Sequence, residues 1–208
     1  MHKPNICVLI TLILAWILLI VAFASYWYQS GTNTDNGDSY TLFKHDGFKF
    51  CNMNGDCDSD SYPSSYKKAN KNTLNIFNAS LAFTVLSWIV TSVTILFVFL
   101  SLANILSKIP LPLGMIVKFL PIVALVFALL AMFIFIGVGN ASYQDCKKNL
   151  SDFVCDDQKD NGVYDFVKYE DNNGVVDYHA PTTGWATVVV SSGLLLLASI
   201  LNVLMGKY

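Results

Sequence analysis

Hydrophobic and polar positions are segregated along this chain rather than interleaved. Four uncharged apolar stretches, residues 6–28, 79–105, 119–138 and 184–205, alternate with two long polar stretches, 29–78 and 139–183, and one short connector, 106–118. At 1.5 Å per residue a helix of about 20 residues crosses a hydrocarbon core of roughly 30 Å, and every apolar stretch reaches that length. The pattern predicts four membrane-spanning helices, with residues 1–5 and 206–208 as short termini on the side of the connector. The first stretch has a second reading as a signal peptide, since Lys3 precedes it and Ala22-Phe23-Ala24 resembles a cleavage site. Its apolar run exceeds the usual core of about 7–15 residues. Tyr26-Trp27-Tyr28 also forms the aromatic cluster expected where a helix leaves a bilayer. Retention as a span is therefore the expectation, and either outcome leaves residues 29–78 on the same side.

Within the second stretch Ser80, Thr84, Ser87, Thr91, Thr94 and Ser101 recur on one helical face. Such a stripe either lines a hydrophilic path or lets two backbones approach closely. No ionisable residue accompanies it, and Ala124, Ala128 and Ala131 offer a matching face in the third stretch, which favours packing. The connector, with Ser107-Lys108-Ile109-Pro110-Leu111-Pro112-Leu113-Gly114 at its centre, makes the second and third helices antiparallel neighbours.

The polar stretches carry strand signals. Tyr40–Phe43 and Phe48–Cys51 flank a Lys44-His45-Asp46-Gly47 turn, which predicts a hairpin. In the second loop Asn161-Gly162 and Asn173-Gly174 each introduce a similar run, which predicts a short meander of strands.

Composition sharpens this picture. Hydrophobic residues make up 54% of the 208 and charged residues only 13%, a balance unlike that of a soluble domain. All 15 acidic residues lie in the polar loops, and the chain has no Arg. With a net charge of -2 and no clustered basic surface, nucleic acid is not an expected partner. Lysine counts do not settle the orientation, because nine lie in the loops and four elsewhere. Cysteines do: Cys51 and Cys57 fall in the first loop, Cys146 and Cys155 in the second, and an even count in each predicts disulfides on the oxidising side. Cys7 lies in an apolar run.

Three sequons, at Asn78, Asn140 and Asn149, become glycosylation acceptors on that side, with Asn149 the preferred one because the other two abut the membrane. The run after Cys155 has calcium-loop character, but aligning Gly162 with the fixed glycine of an EF-hand puts Lys159 and Lys168 at ligand positions. Looser calcium binding by the acidic second loop is the remaining reading, beside that of a solvated acidic surface. His45 and His179 lack the spacing of a zinc site. No nucleophile–base pair and no phosphate loop is evident, so neither an enzyme nor a cofactor is expected.

Four spans, a large first loop, Trp27 just after the first span and Gly47-Phe48-Lys49-Phe50-Cys51 followed by Cys57 resemble the claudin superfamily in its broad sense. That group includes peripheral myelin protein relatives, channel auxiliary subunits and eisosome-type tetraspan proteins. Trp27, Gly47, Phe48, Cys51 and Cys57 stand at its signature positions, while Lys49 replaces the signature Trp and Cys146 with Cys155 adds a second-loop pair. The resemblance implies an all-α, left-handed four-helix membrane bundle carrying a small extracellular sheet built from both loops, with Phe48 and Phe50 anchoring that sheet near Trp27. It also implies a non-enzymatic protein of the plasma membrane or an endomembrane, engaged with lipid, with further copies of itself or with other membrane proteins, in adhesion, lateral contact or membrane-domain organisation. The alternative is an ion channel, or an auxiliary subunit of a channel or larger complex.

Overall fold

A computed structural model describes residues 3–35, 37–103, 113–172 and 175–205. Its elements in chain order are α1 (Lys3–Ala24), β1 (Tyr28–Thr34), β2 (Gly37–Phe43), β3 (Gly47–Cys51), β4 (Cys57–Ser61), α2 (Ser64–Ala69), α3 (Lys71–Leu102), α4 (Leu113–Ile136), α5 (Val138–Asn149), α6 (Asp152–Asp160), β5 (Lys168–Asn172), β6 (Val175–Pro181) and α7 (Thr183–Met205). Four of these helices, α1, α3, α4 and α7, are long and apolar enough to cross a membrane, which marks the chain as a membrane protein. The chain divides into two compact units, one of helices and one built around the sheet.

In the helical unit the buried positions follow a heptad spacing. They are Val8, Leu12, Ala15, Leu19 and Ala22 on α1, Thr84, Ser87, Thr91, Thr94 and Val98 on α3, and Val117, Ala124, Ala128 and Ala131 on α4. Steps of alternating three and four give a 3.5-residue period, that of a left-handed bundle seam. Val8, Leu12, Ala15, Val98, Val117, Ala124, Ala128, Leu195 and Ala198 form one cluster drawn from all four helices. The hydroxyl stripe belongs to this seam. Ser87 Oγ donates to the Ala124 carbonyl at 2.8 Å, while Thr91 and Thr94 bond back to the Ser87 and Val90 carbonyls of their own helix. Side chains this small bring helices close enough for such bonds, which in lipid replace the hydrophobic effect as the cause of association.

Pro121 lies inside α4 and removes one backbone donor, the one that the Val117 carbonyl would otherwise accept. Asn202, fully buried on α7, supplies the replacement: its Nδ2 donates to Val117 O at 2.8 Å and also reaches Lys118 O at 3.3 Å. Neither partner was apparent in the apolar pattern, because each becomes intelligible only beside the other.

The sheet unit contains six antiparallel strands in the order β4-β3-β2-β1-β6-β5. The hairpin expected around Lys44–Gly47 is present, with Phe43 opposite Phe48. At the middle of the sheet β1 pairs with β6 over seven positions, from Tyr28↔Pro181 to Thr34↔Val175, so strands from both polar loops make one sheet. Phe135 is the hub of this unit. It has no exposure and meets Trp27 at 5.0 Å, Phe77 at 5.1 Å, and Tyr28 and Phe166 each at 6.2 Å between ring centroids.

Two expectations need correction. The second polar loop begins with helices α5 and α6 where strands were expected, and only its later part is the antiparallel pair β5 and β6, with Asn172 opposite Val175. Asn161-Gly162 closes α6 instead of turning a hairpin: Gly162 has φ +69°, and Gly162 N and Val163 N donate to the Lys159 and Gln158 carbonyls. That is the left-handed glycine stop of a helix, for which Asn-Gly serves as well as for a turn. The second, Asn173-Gly174, lies outside the described residues, as do residues 107–112 of the connector. In addition, α3 starts at Lys71, two turns before the apolar stretch expected from residue 79.

Candidate functional site

The signature residues of the first loop lie on neighbouring strands. Trp27 N donates to the Phe43 carbonyl at 2.9 Å, and β2 in turn pairs with β3, which carries Gly47, Phe48 and Cys51. The Trp27 side chain, 4% exposed, rests edge-on against Phe135, and a Cβ at Gly184 would come within 2.4 Å of its indole. Glycine is required there for space. It is required at Gly47 too, where a Cβ would meet the Asp60 carbonyl oxygen of β4 at 2.4 Å. Cys51 and Cys57 are direct cross-strand partners, 4.1 Å apart at Cα, and form a disulfide across β3 and β4. Phe48 and Phe50 do not meet Trp27 as expected: Phe48 packs against Tyr62 at 5.9 Å, and Phe50, two positions along the strand on the same face, is 44% exposed. Phe135 has the place expected of them. It was missed because it reads as one more apolar residue of the third span.

In the second loop Cys146 and Cys155 link α5 to α6, with 5.9 Å between Cα atoms. The residue before this bridge, Asp145, is 1% exposed and accepts from Asn72 N at 3.0 Å, Thr73 N at 2.7 Å and Thr73 Oγ1 at 2.8 Å. It thus caps the start of α3 with a negative charge, as the exposed amides and dipole of a helix N-terminus favour. Polar residues 71–78 become helical for that reason.

Beside the bridge, Asp156 accepts from the Tyr143 hydroxyl and pairs with Lys147 at 3.1 Å. These two bonds hold its carboxyl below the usual carboxylate range. Lys147 also lies over the Tyr143 ring and 3.9 Å from Asp152. Among the described residues no three carboxylate, thiol or imidazole groups converge as metal ligands. The preferred sequon residue, Asn149, ends α5 with Nδ2 donating to Ala69 O at 2.8 Å and Asp145 O at 2.7 Å. A glycan leaves that nitrogen a single hydrogen and has to displace one of these bonds. Asn78 and Asn140 are exposed on α3 and α5.

One face of the sheet and the surrounding helices line a partly open cavity of about 260 Å³. Its construction follows from strand periodicity. Tyr28 and Ser30 alternate along β1, Phe43 lies opposite Tyr28, and His179 opposite Ser30, so all four share a face. Asn70, Thr73, Leu74 and Phe77 line it from α3 and the turn before it, Tyr62 and Tyr66 from around α2, and Ser142 from α5. Residues 163–165 close it by crossing α5 at Gly139, where a Cβ would overlap the Tyr164 carbonyl oxygen at 1.9 Å. Tyr28 donates to the Phe166 carbonyl at 3.1 Å, and Tyr62 donates to the Lys44 carbonyl at 2.9 Å. Burial, then the nearby Asp165, pushes the Tyr28 hydroxyl above its ordinary value.

Of the polar residues in this lining, which include Ser30, Asn70, Thr73, Ser142 and Asp165, His179 stands apart. Its Nε2 is buried and has no hydrogen-bond partner. Burial holds the imidazole below its ordinary pKa, against the opposing effect of a bond to the Asp165 backbone. Sequence reasoning weighed this histidine only as a metal ligand. No signal in one sequence shows that its register neighbour Ser30 faces the same cavity.

No family model and no curated protein matches this chain.

Proposed function

We propose that the chain is a non-enzymatic tetraspan protein of the plasma membrane, claudin-like in build, whose sheet-bearing loops lie on the non-cytosolic side. There they act in lateral or cell-to-cell contact and in membrane-domain organisation. The observation that carries this reading is the seven-position pairing of β1 with β6, which joins two polar loops, each with its own disulfide, into a single platform. A surface fixed before it meets a partner loses little entropy on binding. Exposed apolar side chains support the same reading. Phe153 is 83% exposed, Tyr169 75% and Leu150 57%, all outside the apolar spans. Exposed apolar surface marks an interaction site where such side chains form one contiguous patch.

Cells expressing the chain and cells lacking it, mixed in suspension and cross-linked with an impermeant reagent, test the proposal. Expected are clusters enriched in expressing cells, or self-cross-linked species within one cell, reduced several-fold by Phe153→Ser with Tyr169→Ser. A chain that stays monomeric, forms no clusters and cross-links to no other membrane protein overturns it. Selective conductance from the purified protein in bilayers, altered by substitutions at Thr84, Ser87 or Thr91, would favour the ion-pathway alternative.

A further inference from the structure

We infer that the cavity between the sheet and α3 and α5 is a binding site for a small, uncharged, ring-sized molecule that carries one N–H or O–H donor, with His179 Nε2 as its acceptor. The inference stands apart from any role in contact. Size is the first argument. A dry cavity of about 150 Å³ holds a benzene ring, and the 260 Å³ here has room for a fused bicycle. The lining is the second: the rings of Tyr28, Phe43, Tyr62, Tyr66 and Phe77 supply aromatic faces and edges for another flat ring.

The acceptor is the third argument. The Asp165 backbone acts on the His179 ring as a hydrogen-bond acceptor, and we assign the ring proton to Nδ1 because Nε2 is the buried atom with no partner. An imidazole donating through Nδ1 presents a lone pair at Nε2. Leaving such a buried acceptor unpaired is unfavourable, and a donor within the cavity removes the cost.

Charge narrows the ligand class. No lysine lines the space, so an anion finds no counter-charge. Asp165 is the one acidic residue in the lining, but its carboxylate is turned toward Gly162, where it would lie 2.8 Å from an added Cβ. That carboxylate is felt by Tyr28 and His179, but a cation entering the cavity has to exchange its hydration for a lining made mostly of rings, with one carboxylate at its edge. A neutral molecule fits on both counts.

The test uses the full-length protein in detergent micelles, titrated calorimetrically against micelle blanks with indole and with benzofuran, the same bicycle with oxygen in place of N–H. Expected is saturable one-to-one binding of indole about tenfold tighter than benzofuran, the ratio that one added hydrogen bond supplies. In His179→Phe the two affinities should fall within twofold of each other. In Ser142→Phe, which places a ring in the cavity, binding of both should disappear while both disulfides and the elution volume persist. The inference is overturned if neither probe binds saturably, as expected of a space that holds water alone. Equal affinities in the native protein overturn it too, as does a tenfold ratio that survives His179→Phe. Should Ser142→Phe fail to fold, the ratio in His179→Phe decides.

Discussion

The helical unit and the sheet unit are held together by opposite means. In the first, small side chains at a 3.5-residue period let backbones approach, and hydrogen bonds run from hydroxyl, indole and amide groups to neighbouring oxygens. In the second, large rings gather on Phe135, two disulfides close short loops, and ion pairs such as Lys168–Glu170 at 2.5 Å lie at the surface. The solvent explains the difference. Lipid tails are as apolar as leucine, so only close fit and polar pairing favour one helix arrangement over another. Water rewards the burial of rings, and a small sheet gains further from covalent closure.

Substitutions that strike one unit and spare the other put this contrast to the test. Phe135→Ala removes the ring on which four others converge, and should cost about 3–5 kcal/mol. Near-ultraviolet circular dichroism should lose its aromatic signal while the far-ultraviolet helical signal largely persists; loss of both together would contradict independent means of stabilisation. Replacing Cys51 with Cys57, or Cys146 with Cys155, by serine pairs should each remove about 2–3 kcal/mol. The first pair should also lower surface expression, measured by labelling intact cells.

In the helical unit, Asn202→Leu leaves the Val117 carbonyl beside Pro121 without its donor. The expected loss is about 0.6–1.7 kcal/mol, the range for polar pairs between membrane helices, read from unfolding in mixed micelles with the aromatic signal of the sheet unit unchanged. The smallest effect is that of acid. The unfolded chain protonates His179 near its ordinary value of about 6.5, whereas the folded protein, with its imidazole buried, Lys168 opposing the charge and Asp165 favouring it, does so only at lower pH. Between those values the unfolded state binds the extra proton, so stability falls as pH drops through 6.5. Asp156, held below the ordinary carboxylate range, keeps its contribution until about pH 4. A decline between pH 7 and 5 that flattens in His179→Phe is the expected result, and an unchanged slope would assign it elsewhere.

What the sequence disclosed follows the same division. A span is legible because lipid forbids charge over some twenty consecutive positions, and the Lys44–Gly47 hairpin is legible because alternation and turn chemistry are local. The start of α3 was not, because the group that caps it, Asp145, lies in the other polar loop. The helices α5 and α6 were hidden for a related reason. Their sequences are polar, and what holds them is the bridge between Cys146 and Cys155 and the packing of residues 163–165 on Gly139. The cavity was the least accessible of all, since it needs the register of β1 against β6, and register between distant strands has no signature in either strand alone.

That register also governs the order of events during synthesis. Strand β1 leaves the ribosome early with one neighbour, β2, and its other edge stays open until β6 appears immediately before the last apolar helix. At ordinary elongation rates the interval is on the order of ten seconds. Throughout it a nascent chain carries an unfinished edge, open to pairing with a second chain, and any product that stops short of Val175 keeps that edge for its lifetime.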